Sequence, residues 1–226
     1  MKRDLSSFMA SASESSLAPR RPRLTGCAFP STVRFVIRSF IAIELDHQVI
    51  DKISAAIDQL QSRISGIRWV SAANFHLTLK FLGAVEQEQI SRIGAMLDAE
   101  LCPFPRITIN AKGLGVFPDP RRPRILWVGL AGIQLASLVS GVESALQPLG
   151  FAPETRDFKP HLTIGRWRQT DRAAKNLGPA LESWQEYDFG ATHVGEVILF
   201  QSVLKPQGAI YTRLKTVTLN NDQPQS

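Results

Sequence analysis

The sequence predicts an α+β fold, because strand-like apolar runs and amphipathic helical segments are interspersed along the chain without strict alternation. Two pairs of predicted strands are separated only by short turn-rich segments, "PDPRRP" (118–123) and "KPQG" (205–208). Such connections are typical of antiparallel strands, whereas parallel strands need a crossover of a dozen or more residues. A His-Leu-Thr-aliphatic tetrad also occurs once in each half, at 76–79 and 161–164. We therefore expect a bilobal fold, with two pseudo-symmetric lobes of antiparallel sheet and outer helices around a central cleft.

The first half of the predicted domain contains three strands and two helices. Residues 38–45 (RSFIAIEL) form an apolar run that is typical of a strand. Residues 67–70 and 75–82 indicate two further strands, and residues 87–101 indicate a helix. Residues 46–64 predict the other helix, with Asp46 as a candidate N-cap and apolar side chains at helical spacing, namely Val49, Ile50, Ile53, Ile57 and Leu60.

The second half repeats this mixture. Residues 106–117 and 124–130 predict two strands on either side of the PDPRRP turn. A helix is expected at 133–149, where Pro148 and Gly150 end the helical pattern. The remaining predicted elements are a strand at 159–167, a helix at 171–184 that is broken near Gly178, and strands at 192–204 and 209–219.

The 226 residues divide by composition into three segments. Residues 1–35 are rich in Ser, Arg, Ala and Pro and lack periodicity, so we expect them to be disordered. They could be a transit-like presequence, a basic arm that touches RNA, or an extension that does not belong to the natural protein; we favour the last. Residues 36–220 are expected to form a single bilobal domain, and residues 221–226 a flexible C-terminus.

Charge and composition exclude several classes of protein. The net charge is +6, but six basic and two acidic residues among the first 35 account for four of those charges, so the domain itself is only weakly basic. No apolar run approaches the roughly 20 residues that span a bilayer, so we expect no membrane association. Cys27 and Cys102 form no metal-ligand pattern, and a disulfide between them is not expected. We expect a monomeric cytoplasmic protein.

Strand alternation predicts what each tetrad presents. In the second tetrad Leu162 and Ile164 point into a core, while His161 and Thr163 point to the opposite face. The first tetrad is expected to follow the same rule, with His76, Thr78 and Lys80 on the polar face and with four side chains in the core, namely Phe75, Leu77, Leu79 and Phe81. If the two lobes face each other, two imidazoles and two hydroxyls meet in one cleft.

A pair of histidines in a cleft suits the cleavage of a phosphoester by acid and base. Imidazole titrates near neutral pH, so one ring can be neutral and take a proton from water while the other is charged and protonates the leaving oxygen. Threonine hydroxyls can donate hydrogen bonds to phosphate oxygens. A lone histidine in a strand is usually structural, but two matching tetrads among four histidines favour function. We expect neither metal nor cofactor. His47 and His193 lack the pattern, and we interpret His47 as a surface residue at the start of a helix and His193 as a residue at the start of a strand.

The two tetrads resemble the His-x-Thr-x doublet of the two-histidine phosphoesterases. The stretches "RSFIAIEL", "WVSAANFHLTLKFLG", "GLGVFPDPRRPRILWVGL" and "FKPHLTIGR" are similar to signature stretches of bacterial and archaeal RNA 2′,3′-cyclic phosphodiesterases, also called 2′-5′ RNA ligases. The resemblance extends from about Arg38 to about Leu219. It implies a bilobal fold and a hydrolase that opens an RNA terminal 2′,3′-cyclic phosphate to a 2′-phosphate, with 2′-5′ RNA ligation as the reverse reaction.

The resemblance also implies residue roles. His76 is expected to be the general acid that protonates the 3′ oxygen, and His161 the general base that activates water. Thr78 and Thr163 are expected to bind phosphate oxygens. Arg166 is the candidate phosphate cation, although simple alternation places it on the face of Ile164. It reaches the cleft only if the strand ends or bulges near Gly165, which a glycine permits.

Other side chains near the motifs have plainer interpretations. Lys80 is expected to be a solvated strand lysine. Three arginines crowd the PDPRRP turn and its end and could contact RNA phosphates, although a solvated turn is favoured; they are Arg121, Arg122 and Arg124. Phe117 and Trp127 could stack on a base, but core packing is favoured for both.

Three functions remain open on the sequence alone. The favoured one is metal-free hydrolysis of RNA cyclic phosphates, with RNA ends such as those of tRNA fragments as partners. A second keeps the fold and changes the substrate to a small cyclic nucleotide or a cyclic ADP-ribose phosphate. A third is a non-catalytic RNA-binding protein, which the presence of both histidines and both threonines disfavours.

Overall fold

The computed structural model describes residues 35–168, 177–206 and 208–220. Within them the strands are Val36–Ile43 (β1), Ile67–Trp69 (β2), Leu77–Glu86 (β3), Ile107–Phe117 (β4), Ile125–Ala131 (β5), His161–Trp167 (β6), Asp188–Val194 (β7), Glu196–Lys205 (β8) and Gly208–Thr218 (β9). The α-helices are His47–Gln61 (α1), Gln89–Leu101 (α2), Leu135–Leu146 (α3) and Leu177–Glu182 (α4). The tails predicted at 1–35 and 221–226 lie outside the described residues apart from Phe35, so the division into three segments stays a prediction.

The strands form two sheets in which every pair of neighbours is antiparallel. The first sheet has the order β3-β1-β8-β9 and the second the order β2-β6-β5-β4-β7. Helices α2 and α3 pack against the first sheet, and α1 packs against β7 of the second. Strands β3 and β6, which carry the two tetrads, contact each other although they belong to different sheets. The predicted α+β architecture of two antiparallel sheets with helices is confirmed.

Helix packing follows the predicted apolar spacing. In α1 the side chains of Val49, Ile53, Ile57 and Leu60 recur every three or four residues, and all four are buried in the main core. Full burial of such a side chain contributes about 1.5–3 kcal/mol, so the amphipathic stripe is sufficient to dock the helix. No α-helix in the described parts of the chain is long and apolar enough to cross a membrane.

Two elements of the structure differ from their predicted bounds. The strand expected at 192–204 is divided, because β7 ends at Val194 in the second sheet and β8 begins at Glu196 in the first. Val194 and Val197 are both buried, so the apolar pattern runs across the corner at Gly195 without a break. The helix expected at 171–184 is observed only as the short α4, and residues 169–176 lie outside the described residues.

A bulge in β3 overturns the predicted alternation of its side chains. Ile41 and Ala42 of β1 pair with Lys80 and Thr78, so Leu79 is an extra residue in β3. The extra residue reverses the parity of the next two positions. Lys80 is consequently buried on the helix side of the sheet, and Phe81 is 71% exposed on the other side. The expectations of a solvated Lys80 and a core Phe81 are therefore wrong.

Candidate active site

His76 lies directly before β3, and its ring is fixed by a backbone carbonyl. Its Nδ1 is 2.8 Å from the carbonyl oxygen of Asn74. Because a carbonyl can only accept, Nδ1 carries the hydrogen, and in the neutral ring Nε2 is left free to take or give a proton. The ring packs against Phe40 and Tyr211, with centroids 4.9 Å and 5.2 Å away.

His161 opens β6 with the same arrangement. Its Nδ1 is 2.7 Å from the carbonyl oxygen of Lys159, again two residues earlier in the chain. The ring of Phe117 meets it edge to face, with centroids 5.1 Å apart. Both histidines thus have the same tautomer and leave Nε2 available, so the sequence repeat is also a repeat of local geometry. Sequence reasoning missed these carbonyl partners, because a backbone oxygen carries no residue signal.

The two threonines lie on the cleft faces of their strands. Thr78 pairs with Ala42, which belongs to a small apolar cluster with Phe40 on the same side as His76. Thr163 pairs with Trp127 across β5 and β6. Both threonines are half-buried. Neither hydroxyl makes a side-chain hydrogen bond within the described residues, so each can donate to a ligand.

Arg166 reaches the cleft through a second bulge. Thr163 and Gly165 pair with consecutive residues of β5, so Ile164 is the extra residue. This places the exposed Arg166 on the face of Thr163, as the sequence interpretation required. A Cβ at Gly165 would lie 2.3 Å from Cδ1 of Ile67, so a larger residue there would require the Ile67 side chain to move. The structure therefore brings Arg166 to the side on which both threonines and both histidines lie.

Burial and a cation together shift the titration of His76. Burial lowers the pKa of its imidazole below the usual 6.5, and the hydrogen bond to the Asn74 carbonyl opposes this change. The positive charge of Arg166 lowers this pKa further, whereas the negative charge of Glu44 raises it. An effect of Arg166 on His76 means that the second sheet presents its cation close to the histidine of the first.

Substituting Arg166 with Gln should raise the pKa of His76, because a neighbouring positive charge disfavours the imidazolium form. Glu44→Gln should change this pKa in the opposite direction. An NMR titration of the His76 ring measures both. Arg92→Gln, on the exposed face of α2, is the matched control. An unchanged His76 titration in the Arg166 variant would refute the proximity of these two groups.

Phe117 and Trp127 lie in the cleft and not in the core, so the expectation of core packing is wrong. Both are half-buried on the face of His161, and their ring centroids are 5.1 Å apart. A Cβ on Gly115 would lie 2.2 Å from the Trp127 ring, so the indole covers the backbone of β4 at this glycine. Glycines alternating through a predicted strand, as in "GLGVF", are the sequence signal for such a close approach.

A small cavity adjoins His76. It has a volume of about 150 Å³ and is lined by Glu44, Asn74, Phe200, Tyr211 and Arg213, among others. Arg213 forms ion pairs with Glu44 and Glu196, so its charge is balanced. A larger cavity of about 350 Å³ between α1 and β2 contains neither histidine. The chemistry of the site therefore belongs to the smaller cavity and the open cleft.

The remaining candidates stay at the surface. Arg121 and Arg122 are exposed, and their backbone amides donate to the Asp119 carboxylate in a tight turn. His47 is exposed at the start of α1, as expected. His193 is also exposed, but it is the penultimate residue of β7, so the expectation of a strand-entry position is wrong. Arg124 donates to the carbonyl oxygen of Arg168. None of these five lines the cavity beside His76.

The sequence matches one family model and individual relatives that share one name. A sequence model of the family described as LigT like Phosphoesterase matches residues 43–127 and 130–211. A protein named RNA 2′,3′-cyclic phosphodiesterase from Methanothermobacter thermautotrophicus is 35% identical over 187 residues, which cover 81% of this chain and 99% of the relative. A protein of the same name from Thermotoga maritima is 34% identical over 179 residues, or 77% and 91% of the two chains.

Solved structures share the fold. The crystal structure of TT0787 of Thermus thermophilus superposes with a TM-score of 0.71 at 24% identity, covering 83% of this chain and all of the other. The structure of E. coli LigT complexed with 3′-AMP gives 0.62 at 23% identity, with the same coverage. Since the matched segments 43–127 and 130–211 span well over half of the sequence, the chain belongs to the LigT-like phosphoesterase family.

Proposed function

We propose that this protein opens the 2′,3′-cyclic phosphate at the end of an RNA to leave a 2′-phosphate. The observation that carries the proposal is the matched pair of histidines, each with Nδ1 bound to the carbonyl two residues earlier and each followed by a threonine on a cleft-facing strand. The names of its relatives, RNA 2′,3′-cyclic phosphodiesterase, support the substrate.

The pair of imidazoles can complete the reaction without another proton donor. His161 Nε2 takes a proton from a water molecule whose oxygen attacks the phosphorus. The bond from phosphorus to the 3′ oxygen breaks, and protonated His76 gives its Nε2 proton to that oxygen. The products are a 3′-hydroxyl and a 2′-phosphate. His161 ends the turnover charged and His76 neutral, and exchange with solvent restores both.

The other site residues stabilise the phosphate during this reaction. Thr78 and Thr163 donate hydrogen bonds from their hydroxyls, and Arg166 supplies the positive charge for the phosphate oxygens. A lowered pKa makes protonated His76 a strong acid, while a bound anionic phosphate favours its charged form. These two opposing effects on the pKa of His76 suit a group that must hold a proton until the leaving oxygen develops charge.

The same groups can catalyse the reverse reaction. If the 5′-hydroxyl of another RNA takes the position of water, His161 removes its proton and the attack creates a 2′-5′ linkage. Because one chain supplies both histidines, we propose that the enzyme works as a monomer. We propose RNA ends such as those of tRNA fragments as its substrates and the cytoplasm as its compartment. The described Cys102 is a free thiol, which a reducing compartment preserves.

Incubation with a short RNA ending in a 2′,3′-cyclic phosphate, in excess EDTA, tests this function. We expect complete conversion to the 2′-phosphate, identified by chromatography against 2′- and 3′-phosphate standards. EDTA should not slow the reaction, because side chains perform both proton transfers. A 3′-phosphate product would refute the assigned leaving group. Loss of activity that added divalent metal restores would refute the metal-free mechanism.

A further inference from the structure

A second arginine lies beside Arg166 on the cleft face of the second sheet. Arg68 of β2 pairs directly with Arg166 of β6. Its neighbours in β2, Ile67 and Trp69, pack against the main core, so the Arg68 side chain points to the other face, which is the cleft. Directly opposite residues of antiparallel strands have Cβ atoms about 5 Å apart. The cleft therefore contains two adjacent arginines.

Neither of these two charges is balanced by a carboxylate. In the part of the chain that the structure describes, Arg166 has no ion pair, and the side chain of Arg68 makes one hydrogen bond, from Nη2 to the carbonyl oxygen of Pro206 at 3.1 Å. Both arginines are exposed. Like charges that lie directly opposite each other destabilise a sheet. An anion that binds at both positions removes this cost and is attracted by both charges.

The two side chains extend in different directions. Pro206 follows β8 in the turn to β9 of the first sheet, so its hydrogen bond with Arg68 crosses from one sheet to the other at this end of the cleft. The charge of Arg166 instead acts on His76 and lowers the pKa of its ring. Arg166 is therefore the arginine that serves the reacting phosphate, and the Arg68 guanidinium lies farther from it, toward the turn.

An RNA end has a phosphate in the matching place. Next to the terminal 2′,3′-cyclic phosphate, the nearest phosphate of the strand is the diester that joins the terminal nucleotide to the one before it. A single sugar separates the two groups. Guanidinium groups bind phosphate oxygens in a bidentate manner, so two adjacent arginines whose ends diverge can bind two successive phosphates of one strand.

We propose that Arg68 binds the internucleotide phosphate on the 5′ side of the terminal nucleotide, while Arg166 binds the cyclic phosphate. The inference rests on the proposed function and adds how the enzyme selects an RNA end over a free nucleoside cyclic phosphate, which lacks this diester. Arg68 is a specificity-determining residue, because the phosphate that it binds does not react.

Two dinucleotides that differ in one charge test the role of Arg68. Both end in a 2′,3′-cyclic phosphate, and both have a deoxynucleoside on the 5′ side so that the linkage is stable. One has an ordinary phosphodiester between its nucleosides, and the other a methylphosphonate, in which a methyl group replaces the charged oxygen. The unmodified enzyme should have the higher kcat/KM for the diester, by about tenfold or more, which is typical of a hydrogen bond to a charged group.

Substitution of Arg68 should remove this preference. Arg68→Gln should bring the ratio of the two kcat/KM values close to one, and Arg68→Lys, which keeps the charge, should retain part of it. The ratio is independent of how much of the variant is folded, because one preparation is measured on both substrates. Arg92→Gln, on the exposed face of α2, is the matched control and should keep the full ratio.

Two results would overturn this inference while the proposed function stands. One is an equal kcat/KM of the unmodified enzyme for the two dinucleotides. The other is an equal loss on both dinucleotides in Arg68→Gln, which would mean that Arg68 only holds the turn at Pro206 or binds the reacting phosphate. Failure of the unmodified enzyme to open either dinucleotide would overturn the proposed function as well.

Discussion

Replacing His76 or His161 with Ala should lower kcat/KM for opening a terminal cyclic phosphate by about 100- to 10,000-fold, the usual contribution of a positioned acid or base. Neither ring can replace the other, because one must accept a proton while its partner donates one. Both histidines present Nε2 through the same contact of Nδ1 with a carbonyl. The measurement is steady-state hydrolysis of an RNA that ends in the cyclic phosphate.

His193→Ala is the matched control, because His193 is exposed and its Nδ1 contacts Asp46 at the surface. Its activity should equal that of the unmodified protein, and thermal unfolding should show that all three variants remain folded. Full activity in either the His76 or the His161 variant would refute the acid/base pairing.

An activated substrate separates the two roles. The p-nitrophenolate leaving group of an aryl phosphodiester needs no general acid, so His76→Ala should retain most of its activity on such an ester. His161→Ala should remain inactive, because water must still lose a proton. The opposite pattern would exchange the roles of the two histidines while preserving the pair.

The difference between sequence and structure in this cleft arises mainly from two bulges. The pattern of β3 and β6 correctly predicted which face His76, Thr78, His161 and Thr163 occupy, because each tetrad is regular up to its threonine. An extra residue directly after the threonine, Leu79 in β3 and Ile164 in β6, then reverses the parity of the next side chains. Gly165 marks the second bulge in the sequence, which is why the position of Arg166 could be anticipated. No residue next to Leu79 signals the first bulge in the sequence.

The sequence also did not predict features that depend on which strands pair with each other. The apolar pattern continues through Gly195, where the chain passes from one sheet to the other. The aromatic side chains that line the cleft lie on both sheets: Phe117 and Trp127 on one and Phe40 on the other. Apolar composition predicts burial for such rings, but only the pairing of strands decides which side of a sheet they cover. Helix α1, whose signal is local, was correctly predicted.

Replacing Glu143 with Leu should lower the free energy of unfolding by about 3 kcal/mol, near the lower end of the range for breaking a buried ion pair. Lys80 Nζ lies 2.5 Å from a Glu143 carboxylate oxygen and donates to the Ala152 carbonyl oxygen at 2.8 Å. The Lys80 side chain is only 7% exposed, so without the carboxylate its charge is left in an apolar environment. Urea denaturation measures the change.

Lys80→Met should cost less, because the Glu143 side chain is 20% exposed and can be hydrated. The double variant should regain stability relative to Glu143→Leu, since an apolar pair can replace a buried ion pair. Lys112→Met is the control, because Lys112 and Glu186 form an exposed pair whose loss should not be measurable. Equal stability of Glu143→Leu and the unmodified protein would refute the role of the pair.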